Sequence, residues 1–318
     1  MRFLRTRGMT LLMVLCLAIG SLGATASVSA KDDKPTISVG AVAYTEQSIV
    51  AEMTALILED AGFEVERKFD LASEVVLHQA YLSGDVDVGV QYTGSGLVAM
   101  LGMDVPEPAA DGSASPADSI ADQTYSIVSR EFEDQFGLIW LEPLGFNNTY
   151  ALAVTAETAE ARLLTNISDL QGQAGDMTIG VDATFPSRPD GLPGLEETYG
   201  LTFDDVVVMQ SGLMYSAVAQ GDVDIISAYS TDGRIPAQEL ILLEDDKAFF
   251  PPYYAAPVVN GDLLEEYPEI GELLNQLAGE FDNAIMAEMN YQVDEAGAEP
   301  TDVARAFLEE HGIIGGED

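Results

Sequence analysis

The sequence predicts an α/β protein built as two similar lobes, each a sheet flanked by helices. Strand and helix patterns alternate along the chain, the signature of a mostly parallel sheet with crossover helices. One segment occurs twice: Ala80 to Tyr92 reads AYLSGDVDVGVQY and Ala217 to Tyr229 reads AVAQGDVDIISAY. Both give a helix end, Gly-Asp-Val-Asp, an apolar strand, and a Tyr eight residues after the Gly. The 318 residues, 47% hydrophobic and 21% charged, are about two domains' worth of ordinary globular protein.

In order, Thr36 to Val42 alternates and then turns β-branched, a strand pattern. Thr45 to Gly62 follows with Ile49, Val50, Met53, Leu56 and Ile57 at helical spacing and a glycine to stop it. Phe63, Val65, Arg67 and Phe69 have the period of a strand, Ser73 to Ser83 that of a helix, and Val86 to Val90 forms a third strand. From Asp104 to Ala117 the Pro, Ala, Gly, Ser and Asp content marks a surface excursion. A second block starts near Tyr150, with strands at Met177 to Val181, Val206 to Met209 and Val223 to Ser227. Helices near Leu195 to Tyr199 and Leu213 to Gln220 lie between them. After Pro257 come another strand and helices around Leu263 to Leu277, Glu280 to Met289 and Thr301 to Glu310. The expected division is a leader at 1–30, a first lobe at 31–148 completed by 256–318, and a second lobe at 149–255.

Arg2, Arg5 and Arg7, an apolar run from about Met9 to Leu22, and the small residues Val28-Ser29-Ala30 describe a cleavable secretory signal peptide. The competing reading is an uncleaved anchor, but the run falls short of the roughly 20 residues a spanning helix needs. The expected location is therefore periplasmic or otherwise extracytoplasmic. Cys16 is the only cysteine and lies in that run, so the remaining chain has no disulfide and no thiol chemistry.

The formal charge is −41, and −44 without the three leader arginines. Such a surface repels phosphate backbones and anionic headgroups, which excludes nucleic acid as a partner. Lysine is reduced to Lys31, Lys34, Lys68 and Lys247, a composition that suits a saline exterior, where salt screens carboxylate repulsion.

Ligands of open α/β sheets bind beyond the carboxyl ends of the strands, where Tyr92 and Tyr229 stand, one from each lobe. Tyr150 and Tyr253 fall where the chain would cross between lobes. Several tyrosine faces around one point make an aromatic cage for a quaternary ammonium, which has no ordinary hydrogen bond to offer. Each tyrosine taken alone also fits a packing role. Arg188, in Phe185-Pro186-Ser187-Arg188-Pro189-Asp190-Gly191, can clamp a carboxylate or pair with a nearby acid; for Arg234 the ion pair is preferred. His78 and His311 stand in no nucleophile or metal constellation, and no phosphate loop or zinc motif occurs. No catalytic residue, metal site or cofactor is expected. The rival class is a secreted hydrolase using paired carboxylates.

Tyr44-Thr45-Glu46-Gln47, the segment from Gly84 to Gly94, Gly145 to Tyr150, Arg188 to Gly191 with Tyr199-Gly200, Tyr229 to Arg234, and Phe250 to Pro257 keep their order along the chain. Together they resemble the periplasmic glycine betaine/choline-binding proteins of osmoprotectant ABC importers. The resemblance implies a two-lobed periplasmic binding protein fold, type II-like, each lobe a mixed sheet flanked by helices, with the ligand in the inter-lobe cleft. It implies cage tyrosines at Tyr92, Tyr150, Tyr229 and Tyr253, and a carboxylate anchor at Arg188. Thr45, Gln47 and Ser95 would add hydrogen bonds. Val42 stands where some relatives have an assisting lysine, and Gln91 where many have glutamate, so choline remains open beside glycine betaine, as do carnitine and proline betaine. The partners implied are a small quaternary ammonium ligand and the permease subunits of an ABC transporter, with the protein itself a monomer.

Overall fold

The computed structural model describes residues 34–109, 115–183 and 185–315; the expected leader lies outside the described residues. Two five-stranded sheets organise the chain. The first contains β1 (Thr36–Val42), β2 (Glu64–Leu71), β3 (Val88–Tyr92), β4 (Leu138–Trp140) and, from much later in the chain, β10 (Ala255–Asn260), in the order β2-β1-β3-β10-β4. The second contains β5 (Tyr150–Thr155), β6 (Thr178–Val181), β7 (Asp205–Val208), β8 (Ile225–Tyr229) and β9 (Leu240–Leu243), in the order β7-β6-β8-β5-β9.

The two orders are one topology written twice. In each sheet three strands run parallel, and an antiparallel strand joins the third of them to an edge strand. The sheets are therefore mixed, because β5 and β10 are the strands on which the chain enters the second sheet and returns to the first.

The repeated Gly-Asp-Val-Asp has the same physical role in both sheets. Gly84 and Gly221 end the helices Glu74–Ser83 and Ser211–Gln220 in left-handed conformation, at φ 76° and 77°, where a side chain would be strained. Three residues on, the Asp87 carboxylate accepts the Ser38 N–H at 2.8 Å and the Asp224 carboxylate accepts the Thr178 N–H at 2.8 Å. Each aspartate thereby closes the open start of a parallel pairing, just before Val39 meets Val88 and Ile179 meets Ile225.

Both faces of both sheets are covered. In the first lobe Thr45–Asp60, Asn283–Asp294 and Pro300–Glu310 bury one face through Ile49, Met53, Met286 and Phe307. Glu74–Ser83 and the long helix Pro116–Phe136 bury the other through Leu77, Val128 and Phe132. In the second lobe Leu192–Tyr199 covers one face with Leu195 and Tyr199, and Ser211–Gln220 covers the other with Met214 and Tyr215. Among the described residues no helix is long and apolar enough to cross a membrane.

Candidate ligand-binding site

Two short segments carry the chain between the sheets, residues 145–149 outward and 250–254 back. They lie side by side. The Asn148 N–H donates to the Tyr253 carbonyl at 3.1 Å, the Tyr253 N–H to Asn147 Oδ1 at 2.7 Å, and the Thr149 hydroxyl to the Pro251 carbonyl at 3.1 Å. Ser230, just past β8, joins them by donating its hydroxyl to the Asn147 carbonyl at 2.8 Å.

Tyr150 opens β5 at the end of the outward crossing, and Tyr229 closes β8. They are register partners in the antiparallel pair, with ring centroids 5.2 Å apart. Phe185 and Phe250 back Tyr150 at 5.0 and 6.2 Å, within the range of favourable aromatic contacts. Arg188 follows the short turn Phe185–Ser187 beyond the carboxyl end of β6, and its Cζ lies 5.6 Å from the Tyr150 ring centroid. Its Nη2 is 3.2 Å from the Tyr253 hydroxyl. Tyr150, Tyr229, Tyr253 and Arg188 are thus brought together at the strand ends of the second sheet, beside the crossings.

Carboxylates stand behind these groups. Arg188 donates from Nε to Asp190 Oδ1 at 2.8 Å and from Nη2 to Oδ2 at 2.5 Å, and the Tyr253 hydroxyl donates to the same Oδ2 at 2.6 Å. Burial pushes the Asp190 carboxyl upward, but these donors outweigh it and hold it below the usual aspartate value. The Tyr229 hydroxyl donates to Asp182 Oδ2 at 3.2 Å, while Asp182 Oδ1 accepts the Phe185 N–H at 3.2 Å. Burial first, and then these neighbouring charges, raise the Tyr229 and Tyr253 phenols, so both stay protonated as donors.

Tyr92 is placed differently. It lies in the first lobe's core at 5% exposure and donates its hydroxyl to Glu46 Oε1 at 2.5 Å. Gly94, two residues on, is where the chain meets Tyr253; a Cβ there would come within 2.7 Å of the Tyr253 ring. Glu46 is itself buried and accepts three further bonds. These come from Asn148 Nδ2 at 2.9 Å, the Thr231 hydroxyl at 2.5 Å and Asn290 Nδ2 at 3.3 Å. Burial raises its pKa and all four donors oppose the rise.

The remaining expected residues are spread out. Thr45 gives its hydroxyl to Asp294 at 2.6 Å, and Gln47 Oε1 accepts the Val42 N–H at 2.8 Å, so both use polar atoms on the fold. Ser95 stands near Glu74, whose carboxyl is raised by burial, with Ser95 and the field of Arg188 opposing the rise. Arg234 forms the expected ion pair, with Asp232 at 2.6 Å.

Tyr44, Glu46, Glu74, Asp182 and Asp190 join this neighbourhood although no motif singles them out as site residues. Tyr44, 56% exposed, has a phenol raised by partial burial and by Glu74, then by Tyr150 and Asp182, so it belongs to the same charge neighbourhood. Its signal was its place directly before Thr45-Glu46-Gln47. Among the described residues no cluster of acids and histidines could hold a metal ion.

Comparison with known proteins bears on the family and the fold. Residues 35–310 match the family described as the substrate-binding domain of ABC-type glycine betaine transport systems. A carnitine transport binding protein of Listeria monocytogenes is 36% identical over 289 residues, covering 90% of each chain. A glycine-betaine-binding protein of Pseudomonas aeruginosa is 35% identical over 315 residues, covering 96% of each. A crystal structure described as a glycine betaine/carnitine/choline ABC transporter superposes with a TM-score of 0.78 at 33% identity, over 87% of this chain and 99% of that one. The two mixed sheets flanked by helices are accordingly those of a two-lobed periplasmic binding protein, and the hydrolase alternative finds no support. The chain belongs to the family of substrate-binding domains of ABC-type glycine betaine transport systems.

Proposed function

We propose that the chain captures a small quaternary ammonium solute, glycine betaine first, between its two lobes outside the cytoplasm, and delivers it as a monomer to the membrane permease of an ABC importer in osmoprotection. The observation that carries this reading is the convergence of Tyr150, Tyr229 and Tyr253 around the Arg188 guanidinium. Ring faces attract a trimethylammonium group by their quadrupoles, and a guanidinium suits a carboxylate. The relatives named for glycine betaine and carnitine support the same class of ligand. The leader-like first thirty residues support export. Binding and release are the whole task, with no covalent step.

Choline is the second reading. It is favoured by the pairing of Arg188 with Asp190, which leaves the guanidinium less free for a ligand carboxylate.

Calorimetric titration with glycine betaine and choline in molar salt tests the reading, beside the double variant Tyr150→Leu/Tyr229→Leu. The variant keeps apolar volume and loses both π faces, so a folded protein with affinity reduced about a hundredfold is expected, at roughly 1.4 kcal/mol per ring. Undiminished affinity in the double variant would overturn the cage.

A further inference from the structure

Three of the four tyrosines singled out from sequence donate their hydroxyls to buried or half-buried carboxylates: Tyr92 to Glu46 at 2.5 Å, Tyr229 to Asp182 at 3.2 Å and Tyr253 to Asp190 at 2.6 Å. The acids come from three separate places in the chain, the helix Thr45–Asp60, the end of β6 and the loop after Arg188. A phenol needs only some acceptor to be satisfied, and carbonyls and water are the common ones. Recurrence of an anion at each phenol is a pattern that satisfaction alone does not require.

The pattern has a physical consequence for the ring faces. A phenol that donates to an anion has its O–H bond polarised, and electron density moves toward the oxygen and the ring. The carboxylate also adds its own field at the ring's outer end, in surroundings of low effective dielectric. Both effects make the face more negative toward a cation. A carboxylate placed directly against the headgroup would lose hydration without gaining a hydrogen bond, because methylated nitrogen has no proton to give. Set behind the ring, it keeps its hydrogen bonds and still acts on the cation.

We propose that Asp182 and Asp190 are positioning residues that charge-load the aromatic site, making it select cationic headgroups over uncharged groups of the same shape. Asp190 has a second effect, since it also holds Arg188. The site thereby strengthens its attraction for the ammonium end of a ligand while moderating that for a carboxylate. This inference rests on the proposed quaternary ammonium reading.

The test compares choline with 3,3-dimethylbutan-1-ol, in which carbon replaces the ammonium nitrogen, by titration of choline and displacement for the alcohol. In Asp182→Asn the carboxylate charge is lost at constant shape. Choline affinity is expected to fall about tenfold and alcohol affinity by less than twofold, in line with a cation–π difference of about 1.4 kcal/mol. Tyr229→Phe keeps the ring and the acid but removes the bond between them; it gives the same charge-selective loss and decides the matter if Asp182→Asn does not fold. In Asp190→Asn choline weakens more than glycine betaine, because Arg188 is released for the ligand carboxylate. Equal losses for choline and the alcohol, or no loss for choline, would overturn the proposal while leaving the functional reading in place. A wild-type protein that binds no quaternary ammonium at all would overturn both.

Discussion

Asp190 holds Arg188 in a planar two-bond pair, with Nε to Oδ1 at 2.8 Å and Nη2 to Oδ2 at 2.5 Å. The guanidinium is oriented before any ligand arrives. Among the described residues no hydrogen bond engages its Nη1, and on the proposed reading this edge meets the ligand carboxylate. Arg188→Gln is therefore expected to cost glycine betaine more than about tenfold in affinity, a charge-assisted bond being worth about 1.5–3 kcal/mol. Choline, which has no carboxylate, should change by less than about threefold. Calorimetric titration of both ligands checks this, and equal losses would assign Arg188 to packing over Tyr150.

Glu46 gathers donors from Tyr92, Asn148, Thr231 and Asn290, on elements of both lobes and the crossing between them. Glu46→Leu leaves three buried donors and the half-buried Asn148 amide without their acceptor, at about 1–3 kcal/mol for each buried one when none finds another. A loss of at least about 3 kcal/mol in urea unfolding is expected. Glu46→Gln should lose less, since its amide oxygen still accepts. A leucine variant as stable as the parent would contradict the role given to this carboxylate.

His78 is buried in the first lobe, edge-on to Phe132 and Phe136 at 5.4 and 4.7 Å between ring centroids. Burial lowers its pKa below the usual histidine value of 6.5. The unfolded chain therefore takes up a proton at a higher pH than the folded one. Its share of stability is complete above pH 6.5 and is lost as pH falls toward the lowered folded value. Unfolding free energies at pH 7.5 and 5.5 should differ more in the parent than in His78→Leu. An identical pH slope in the two would show that this histidine is not what titrates.

The charge of −41 makes stability salt-dependent. Raising sodium chloride from about 0.1 M to about 1 M shortens the Debye length from about 10 Å to about 3 Å and screens repulsion among surface carboxylates. The thermal midpoint should rise across that range, as scanning calorimetry would record. A midpoint independent of salt would count against adaptation to brine.

The fold was legible in sequence wherever a local pattern carried it. The Gly-Asp-Val-Asp echo marks both helix ends, while the strands begin two residues after the Val86 and Val223 expected, at Val88 and Ile225, because Asp87 and Asp224 are engaged in equivalent side-chain bonds just before them. The helix Pro116–Phe136 was not anticipated, although Ser115 caps it and Gly137 ends it in left-handed conformation. The Pro, Gly and Ser content just before it dominated the reading. Of the proposed site, Tyr150, Tyr229, Tyr253 and Arg188 stand in motifs that single them out, and the fold brings them together. Glu46 could not be separated from Thr45 and Gln47, because successive residues of a helix point about 100° apart and only tertiary contacts tell which faces inward. Its partner Asn290 lies 244 positions away, a distance across which no local spacing speaks.

The most direct test of the central claim is a crystal structure of the chain with glycine betaine or choline bound. The ammonium nitrogen is expected within about 6 Å of the ring centroids of Tyr150, Tyr229 and Tyr253, with a betaine carboxylate on Arg188. A ligand seated away from these rings, or a trimethylammonium group held by none of them, would contradict it.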